Sequence, residues 1–222
     1  MHQRSLFPHL VAAALALHLL TTPATAEEAP VIVALGDSLT AGFGLGTDDA
    51  FPARLERALG RAGVSVVVVD AGVSGDTTAG GRTRLDWVLA DAPDLVIVEL
   101  GANDGLRGLD PASTFDNLDD ILTRLGERGV EALLAGMLAP PNLGREYGDA
   151  FNGNYRRLAE KHGVVFYPFF LDGVAGRLEL NQADGIHPNA AGVDIIVEGI
   201  LPYVIEALKR VEGSPGAPGV RG

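Results

Sequence analysis

Two short stretches of the sequence carry side chains that could together perform nucleophilic catalysis. Ser38 stands just after an apolar run, residues 31–35, so its hydroxyl would project at the end of a buried strand. Asp184 precedes His187 by three residues in a loop that leads into the last helix. A serine hydroxyl, an imidazole that takes its proton and a carboxylate that orients the imidazole are the parts used for acyl transfer. A turn before a helix also favours Asp and Pro, so the Asp-x-x-His spacing alone is weak evidence.

The other candidate residues fit structural roles better. His162 ends a helical pattern before Gly163, where a cationic side chain suits the helix dipole. The chain has no cysteine, which excludes a thiol nucleophile, thiolate metal ligands and disulfides. The glycines within residues 42–46 lack the G-x-G-x-x-G spacing of a dinucleotide-binding turn. Residues 36–39 also fit a strand-to-helix turn that binds phosphate, so the serine chemistry needs further support.

Short apolar runs alternate with amphipathic helical patterns along the chain. The runs predict five strands, at residues 31–35, 64–69, 95–100, 130–138 and 164–167. Helical spacing predicts helices at residues 51–62, 85–89, 110–125, 147–162 and 193–208, the last with a kink at Pro202. We therefore predict an α/β fold, a three-layer α/β/α sandwich around a five-stranded parallel sheet.

Polar clusters follow the first three predicted strands, at residues 36–38, 72–78 and 101–105. The carboxyl ends of parallel strands meet at one edge of the sheet, which is where such folds bind ligands. The sequence therefore predicts that these clusters form one site.

Taken together, these segments resemble the SGNH or GDSL hydrolases. Gly36-Asp37-Ser38-Leu39 matches the nucleophile block of that family, and Gly75 within Ser74-Gly75-Asp76 matches its glycine block. Asn103 within Gly101-Ala102-Asn103-Asp104 matches the asparagine block, and Asp184-x-x-His187 the last one. The four blocks occur in the family order over nearly the whole chain, and the stretch 103–108 resembles the bacterial thioesterase I, arylesterase and lysophospholipase L1 subgroup. The resemblance implies a flavodoxin-like sandwich.

The resemblance also implies a role for each matched residue. Ser38 would be the nucleophile, His187 the general base and Asp184 the group that orients it. The N–H groups of Ser38 and Gly75 and the amide of Asn103 would form the oxyanion hole. For the acyl groove the resemblance implies the three leucines of the neighbouring loops, which are Leu106, Leu109 and Leu143. No cofactor and no metal are required, and the expected substrate is a small acyl ester, a thioester or a lysophospholipid.

The sequence patterns at the two ends of the chain indicate segments that lie outside the folded domain. Arg4, the apolar run 10–20 and the small residues 24–26 have the form of a signal peptide, and the run is short of the roughly 20 residues that a spanning helix needs. We expect residues 1–26 to be a signal peptide that is removed by cleavage near Ala26. Residues 27–210 would form the hydrolase domain, and residues 211–222 would be a disordered tail. The protein would then be periplasmic or secreted, without a stable membrane anchor, and we expect a monomer. The net charge of −12 disfavours nucleic acid as a partner.

Two other functions fit parts of this pattern. One is a binding or scaffolding module that has kept the fold and lost the chemistry, against which the intact Ser, Asp and His argue. The other is a hydrolase of acetylated sugars, which would need an open polar cleft. The apolar residues around the loops, among them Leu39, Phe43 and Leu45, favour an apolar cleft instead.

Overall fold

Five parallel strands form the sheet that carries the site. In the computed structural model, which describes residues 29–213, they are β1 (Val31–Gly36), β2 (Val67–Gly72), β3 (Leu95–Glu99), β4 (Glu131–Ala135) and β5 (Val165–Tyr167). Their order is β2-β1-β3-β4-β5, and every neighbouring pair is parallel. This confirms the predicted α/β fold with its five-stranded sheet.

Helices cover the sheet and connect its strands. They are α1 (Ser38–Ala41), α2 (Phe51–Arg61), α3 (Thr78–Thr83), α4 (Leu85–Leu89), α5 (Ala102–Leu106), α6 (Pro111–Glu127), α7 (Arg145–His162) and α8 (Ala190–Gly213). Short 3₁₀ turns occur at Thr47–Asp49, Pro141–Leu143 and Leu178–Leu180. Helix α2 packs against α8, whereas α6 packs against α3 and α7, and these two groups of helices make the outer layers of the sandwich.

The three central strands read as continuous apolar runs because both of their faces are buried. Every residue of β3 is buried, including Glu99, and so are residues 32–36 of β1. Aromatic side chains from the helices complete the core, with Phe51, Phe151 and Tyr155 almost fully shielded from solvent. The core thus holds the strand ends, and the loops that follow them, in fixed positions.

The strand order reverses at β1, which has β2 on one side and β3 on the other. A crevice opens at such a point because the chain leaves the two neighbouring strands in opposite directions. Residues 37–38 follow β1 and residues 100–103 follow β3, so the segments that carry Ser38 and Asn103 border this crevice.

The structure shifts three predicted strand bounds by three residues each, namely the start of β2, its end, which is Gly72, and the end of β4. Strand β2 begins at Val67 rather than at residue 64, because the N–H of Val64 bonds to Leu59 O and closes the end of α2 instead. Strand β4 ends at Ala135, so residues 136–138 are not strand, and they turn towards the site. Apolar residues beyond a strand end look like strand in a sequence, which explains the overlong prediction.

Helix prediction failed where glycine is frequent. Helix α3 contains Gly80 and Gly81, which are poor helix formers, and α5 lies in a segment expected to be loop. Helix α8 extends to Gly213, so residues 211–213 are helical and not part of a tail. The expected signal segment and the rest of the tail lie outside the described residues. Between residues 29 and 213, no helix combines the length and the hydropathy needed to cross a membrane.

Candidate active site

Ser38 is the first residue of α1, directly after the turn that ends β1. The Asp37 side chain caps this short helix, since its Oδ1 accepts the N–H of Leu39 at 2.9 Å. Gly42 ends the helix in the left-handed region, at φ +69°, which suits glycine. This tight strand–turn–helix segment leaves Ser38 only 9% exposed, with its Oγ 2.9 Å from Nε2 of His187.

Asp184 and His187 form a second part of the site, within one turn. His187 Nδ1 lies 2.7 Å from Asp184 Oδ2, and Asp184 Oδ1 accepts the backbone N–H groups of Ile186 and His187 at 2.9 and 3.0 Å. The bond from the Ile186 N–H, followed by the two bonds from His187, lowers the pKa of Asp184 to about 2. The carboxylate is therefore charged at neutral pH and fixes the orientation of the imidazole. Gly185 adopts φ +72° in this turn, a conformation that favours glycine.

Bonds between two loops hold His187 against Ser38. Gln182 Nε2 donates to Phe43 O at 2.6 Å and to Pro188 O at 2.9 Å. The Phe43 ring also contacts the imidazole, with 4.5 Å between ring centroids. These contacts connect the loop after α1 with the loop before α8, although Ser38 and His187 are 149 residues apart.

Asn103 lies beside the turn that carries Ser38, in the first turn of α5. Its Nδ2 donates to Asp37 Oδ2 at 3.0 Å, and within residues 29–213 its second N–H meets no acceptor. The close approach of α5 depends on Gly101, because a Cβ there would overlap the Tyr155 hydroxyl that donates to Leu100 O. Asp37 thus orients one N–H of the amide and leaves the other for a ligand.

Two buried carboxyls lie behind Ser38. Burial raises the pKa of Asp37 to about 6, against the lowering effect of the bonds from Leu39 and Asn103. Burial and the nearby charge of Asp37 raise the pKa of Glu99 well above its usual value. Glu99 Oε2 accepts from the Thr40 hydroxyl at 2.6 Å and from the Asp37 N–H at 3.3 Å, and Oε1 has no partner within residues 29–213.

Gly75 lies in a tight turn after β2. The turn is closed by the N–H of Asp76, which bonds to Val73 O at 3.0 Å, and Gly75 adopts φ +82°. The Gly75 carbonyl accepts from Arg107 Nη2 at 2.8 Å. Its N–H, like that of Ser38, meets no protein acceptor among the described residues.

Asp104 connects the helix after this turn with the asparagine segment. Its Oδ2 accepts the N–H of Thr78 at 2.9 Å, and its Oδ1 accepts the hydroxyls of Thr78 and Thr114 at 2.5 and 3.3 Å. Asp104 and Thr78 are both buried. The start of α3 and the start of α5 are therefore joined by a fully bonded buried carboxylate.

A cavity of about 410 Å³ opens beside Ser38 and His187. This is within the range of small-molecule sites, roughly 300–1,000 Å³. Its lining is mainly apolar and includes Leu39, Ala102, Leu106, Met137, Leu138, Ala139, Pro140, Pro141, Phe169, Leu171, Ala175 and Ile186. The polar lining residues are Asp37, Ser38, Asn103 and His187, so one end of the cavity is polar and the rest is apolar.

The three leucines predicted for the acyl groove differ in position. Leu106 lines the cavity. Leu109 lies outside the lining, with its carbonyl bonded to the Tyr147 hydroxyl at 2.7 Å. Leu143 also lies outside it, with its side chain beside Gly108. A groove role for Leu109 and Leu143 stays a prediction.

Sequence reasoning missed most of the apolar lining. The apolar pattern of residues 130–138 predicts strand at Met137 and Leu138, whereas Phe169 and Leu171 follow β5 in a segment without periodicity. Their common signal is position, because all four directly follow the carboxyl ends of β4 and β5. Within residues 29–213 no group of three or more His, Asp or Glu side chains is arranged to hold a metal ion.

Comparison with known proteins gives one consistent result. The family model described as "GDSL-like Lipase/Acylhydrolase family" matches residues 34–195. The esterase TesA of Pseudomonas aeruginosa is 41% identical over 194 residues, which cover 87% of this chain and 95% of that protein. The "Thioesterase 1/protease 1/lysophospholipase L1" of Escherichia coli K12 is 41% identical over 165 residues, 74% and 78% of the two chains. The crystal structure of AlinE4, an SGNH-hydrolase family esterase, superposes on this chain with a TM-score of 0.70. The two sequences are 48% identical, and the match covers 83% of this chain and 99% of AlinE4.

Proposed function

Because the chain belongs to the GDSL-like lipase/acylhydrolase family, we propose that it hydrolyses carboxylic esters and thioesters of acyl groups with Ser38 as nucleophile. The family match confirms the resemblance predicted from the four sequence blocks. The observation that carries the proposal is the continuous chain of bonds from Ser38 Oγ to His187 Nε2 and from His187 Nδ1 to Asp184 Oδ2. A chain of this kind activates a hydroxyl that is otherwise a poor nucleophile at neutral pH.

The reaction proceeds in two acyl transfers. Ser38 Oγ adds to the acyl carbonyl carbon while its proton passes to His187 Nε2, and the carbonyl oxygen takes up the negative charge. His187 then returns the proton to the leaving alcohol or thiol, which leaves an acyl-enzyme. Water attacks this ester by the same route, with His187 again as the base, and releases the acid. Asp184 orients the imidazole and stabilises its cation throughout.

The oxyanion would be bound by the N–H groups of Ser38 and Gly75 and the second N–H of Asn103. All three donors lack protein acceptors within residues 29–213, and Asp37 holds the Asn103 amide in place. One donor of this kind contributes about 2.7–4 kcal/mol to the transition state. Metal and cofactor have no part in this proposal.

The apolar cavity supports the substrate class. An acyl chain would bury its methylenes against Leu106, Met137 and Phe169, and each buried methylene contributes about 0.8 kcal/mol. An acetylated sugar would instead need polar partners along the cavity walls. The names of the relatives include esterase, thioesterase and lysophospholipase, and we propose small acyl esters, thioesters or lysophospholipids as substrates. We also propose export to the periplasm or beyond, cleavage near Ala26 and a monomeric enzyme without nucleic-acid partners.

The test is hydrolysis of p-nitrophenyl esters from acetate to longer chains by the wild type and by Ser38→Ala. We expect rates that rise beyond acetate, and loss of activity by several orders of magnitude in the variant. Ser65→Ala removes an exposed hydroxyl elsewhere and serves as the control. A fluorophosphonate should label the wild type and the control but not Ser38→Ala. Activity above about a tenth of wild type in Ser38→Ala would rule out covalent catalysis at this residue.

A further inference from the structure

The guanidinium of Arg84 joins the ends of two neighbouring strands to the Gly75 turn. Its Nη2 donates to Gly36 O at 2.8 Å and its Nη1 to Ala71 O at 2.7 Å. Its Nε donates to Asp76 Oδ2, also at 2.7 Å. The three acceptors come from the end of β1, the end of β2 and the residue that follows Gly75.

Two of the three acceptors, Gly36 and Asp76, are close in the chain to groups that the proposed reaction needs. Gly36 is two residues before Ser38, and its carbonyl also accepts the N–H of Val73 at 3.0 Å. Asp76 closes the Gly75 turn with its own N–H, and its Oδ1 accepts the Thr77 N–H at 3.1 Å. A restraint on Gly36 and Asp76 therefore acts on the Ser38 and Gly75 N–H groups.

The ion pair between Arg84 and Asp76 is largely buried and closely packed. The side chains of Arg84 and Asp76 are only 17% and 13% exposed, so water screens their attraction little. The Asp76 carboxylate lies against the backbone of α3 at Gly80, where a Cβ would overlap Oδ1. Arginine presents its donors in one rigid plane, whereas a lysine ammonium is a single point charge. One planar group thus fixes the distance between the β1 end and the Gly75 turn.

We infer that Arg84 is a positioning residue, which holds the Gly75 turn against the Ser38 turn so that both backbone N–H groups point at one oxyanion. This inference rests on the proposed esterase function. A displacement of about 1 Å in such a constellation can cost on the order of 100-fold in rate. Arg84 contributes by making the oxyanion donors rigid, and it does not contact the substrate.

The test compares Arg84→Gln and Arg84→Lys with the wild type, using enzyme concentrations normalised by fluorophosphonate titration of active sites. For Arg84→Gln we expect kcat to fall about 10- to 100-fold with KM little changed, because the donors act on the transition state. Arg84→Lys keeps the charge opposite Asp76 but cannot reach all three acceptors, so its loss should be intermediate. A trifluoromethyl ketone of the same acyl chain forms a hemiketal oxyanion with Ser38. Its Ki should rise by about the same factor as kcat/KM falls.

Arg124→Gln is the matched control, since Arg124 bonds Asp86 and the Arg82 carbonyl at the outer side of the same region. It should lower the melting temperature without changing kcat or the ketone Ki. If Arg84→Gln behaves like Arg124→Gln, Arg84 is only structural and the inference fails. If Arg84→Gln does not fold, kcat and the ketone Ki are measured for Asp76→Asn instead. If both values in Asp76→Asn equal those of the wild type, the inference is again overturned. An inactive wild type, or an active Ser38→Ala, would instead refute the proposed function itself.

Discussion

The buried carboxyl of Asp37 should make the protein less stable as the pH rises, and Asp37→Asn should remove this effect. Burial raises the pKa of Asp37 from 3.8 to about 6, so the folded state binds a proton more tightly than the unfolded state does. Such a group contributes stability that is complete below the unfolded pKa and is lost as the pH rises through the folded pKa. The window therefore runs from about pH 4 to about pH 7.

The size of the effect follows from the shift. A pKa difference of about two units corresponds to about 3 kcal/mol of unfolding free energy, since one unit is worth about 1.4 kcal/mol. Asp37 is fully buried, so solvent screening does not reduce this figure much. The amide of Asn keeps the acceptor for the Leu39 N–H and cannot titrate. Relative to the wild type, the variant should gain about 3 kcal/mol between the acid and alkaline ends of the window.

The assay is urea unfolding of both proteins at a series of pH values. Titrating groups distant from Asp37 remain unchanged in both proteins and cancel in the difference. Glu99 does not cancel, because the charge of Asp37 raises its pKa, and loss of this repulsion in Asp37→Asn acts in the same direction as the expected gain at high pH. Asp184→Asn gives a control of opposite sign, because the pKa of Asp184 is lowered to about 2 and its stabilisation is present above pH 3.8 and lost on acidification. A difference between wild type and Asp37→Asn that does not change from pH 3 to pH 8 would refute the reasoning.

Three further predictions concern the site. Asn103→Ala should lower kcat about 100- to 1,000-fold with little change in KM, and a variant that mainly raises KM would make Asn103 a substrate-binding residue instead. The profile of kcat/KM against pH should contain an ionisation of Asp37 near pH 6, below which this carboxyl no longer holds the Asn103 amide as an anion, and Asp37→Asn should remove it; a profile that Asp37→Asn leaves unchanged would contradict the coupling of Asp37 to the Asn103 amide. Thr78→Val should lower the unfolding free energy by about 1–3 kcal/mol in urea titrations, because it removes the hydroxyl that bonds Asp104 and Asn117.

The parts of the site that the sequence predicts are those with local or strand-end signals. Asp184 and His187 are three residues apart, so one turn decides their contact. Ser38 follows a strand that is buried on both faces, which marks the strand end in the sequence. The parallel sheet, and the ligand site at the carboxyl ends of its strands, follow from the alternation of apolar runs and helical patterns.

The supporting contacts depend on strand order, which the alternation of elements does not determine. The Asp37–Asn103 bond spans 66 residues and exists because β1 and β3 are neighbours. The Arg84–Gly36 bond spans 48 residues and requires β2 at the edge beside β1. Helix α3 connects the Gly75 turn with Arg84. It contains two glycines, so the sequence there gives no helical pattern. Neither the polar supports nor the apolar lining after β4 could therefore be read from the chain.

The distribution of acidic groups in the site separates charge in the way that the reaction requires. The carboxylate of Asp184 contacts the imidazole that becomes a cation, and its backbone donors hold its pKa at about 2. The carboxyls of Asp37 and Glu99 lie behind Ser38, the proposed nucleophile, near the place where the oxyanion would develop, and burial raises the pKa of both. A fully charged pair there would oppose the oxyanion by like-charge repulsion, which is strong in a buried site. Negative charge is thus kept beside His187 and reduced beside the oxyanion, so the segments after β1, β2 and β3, together with the Asp184–His187 turn, favour both charges of the proposed transition state.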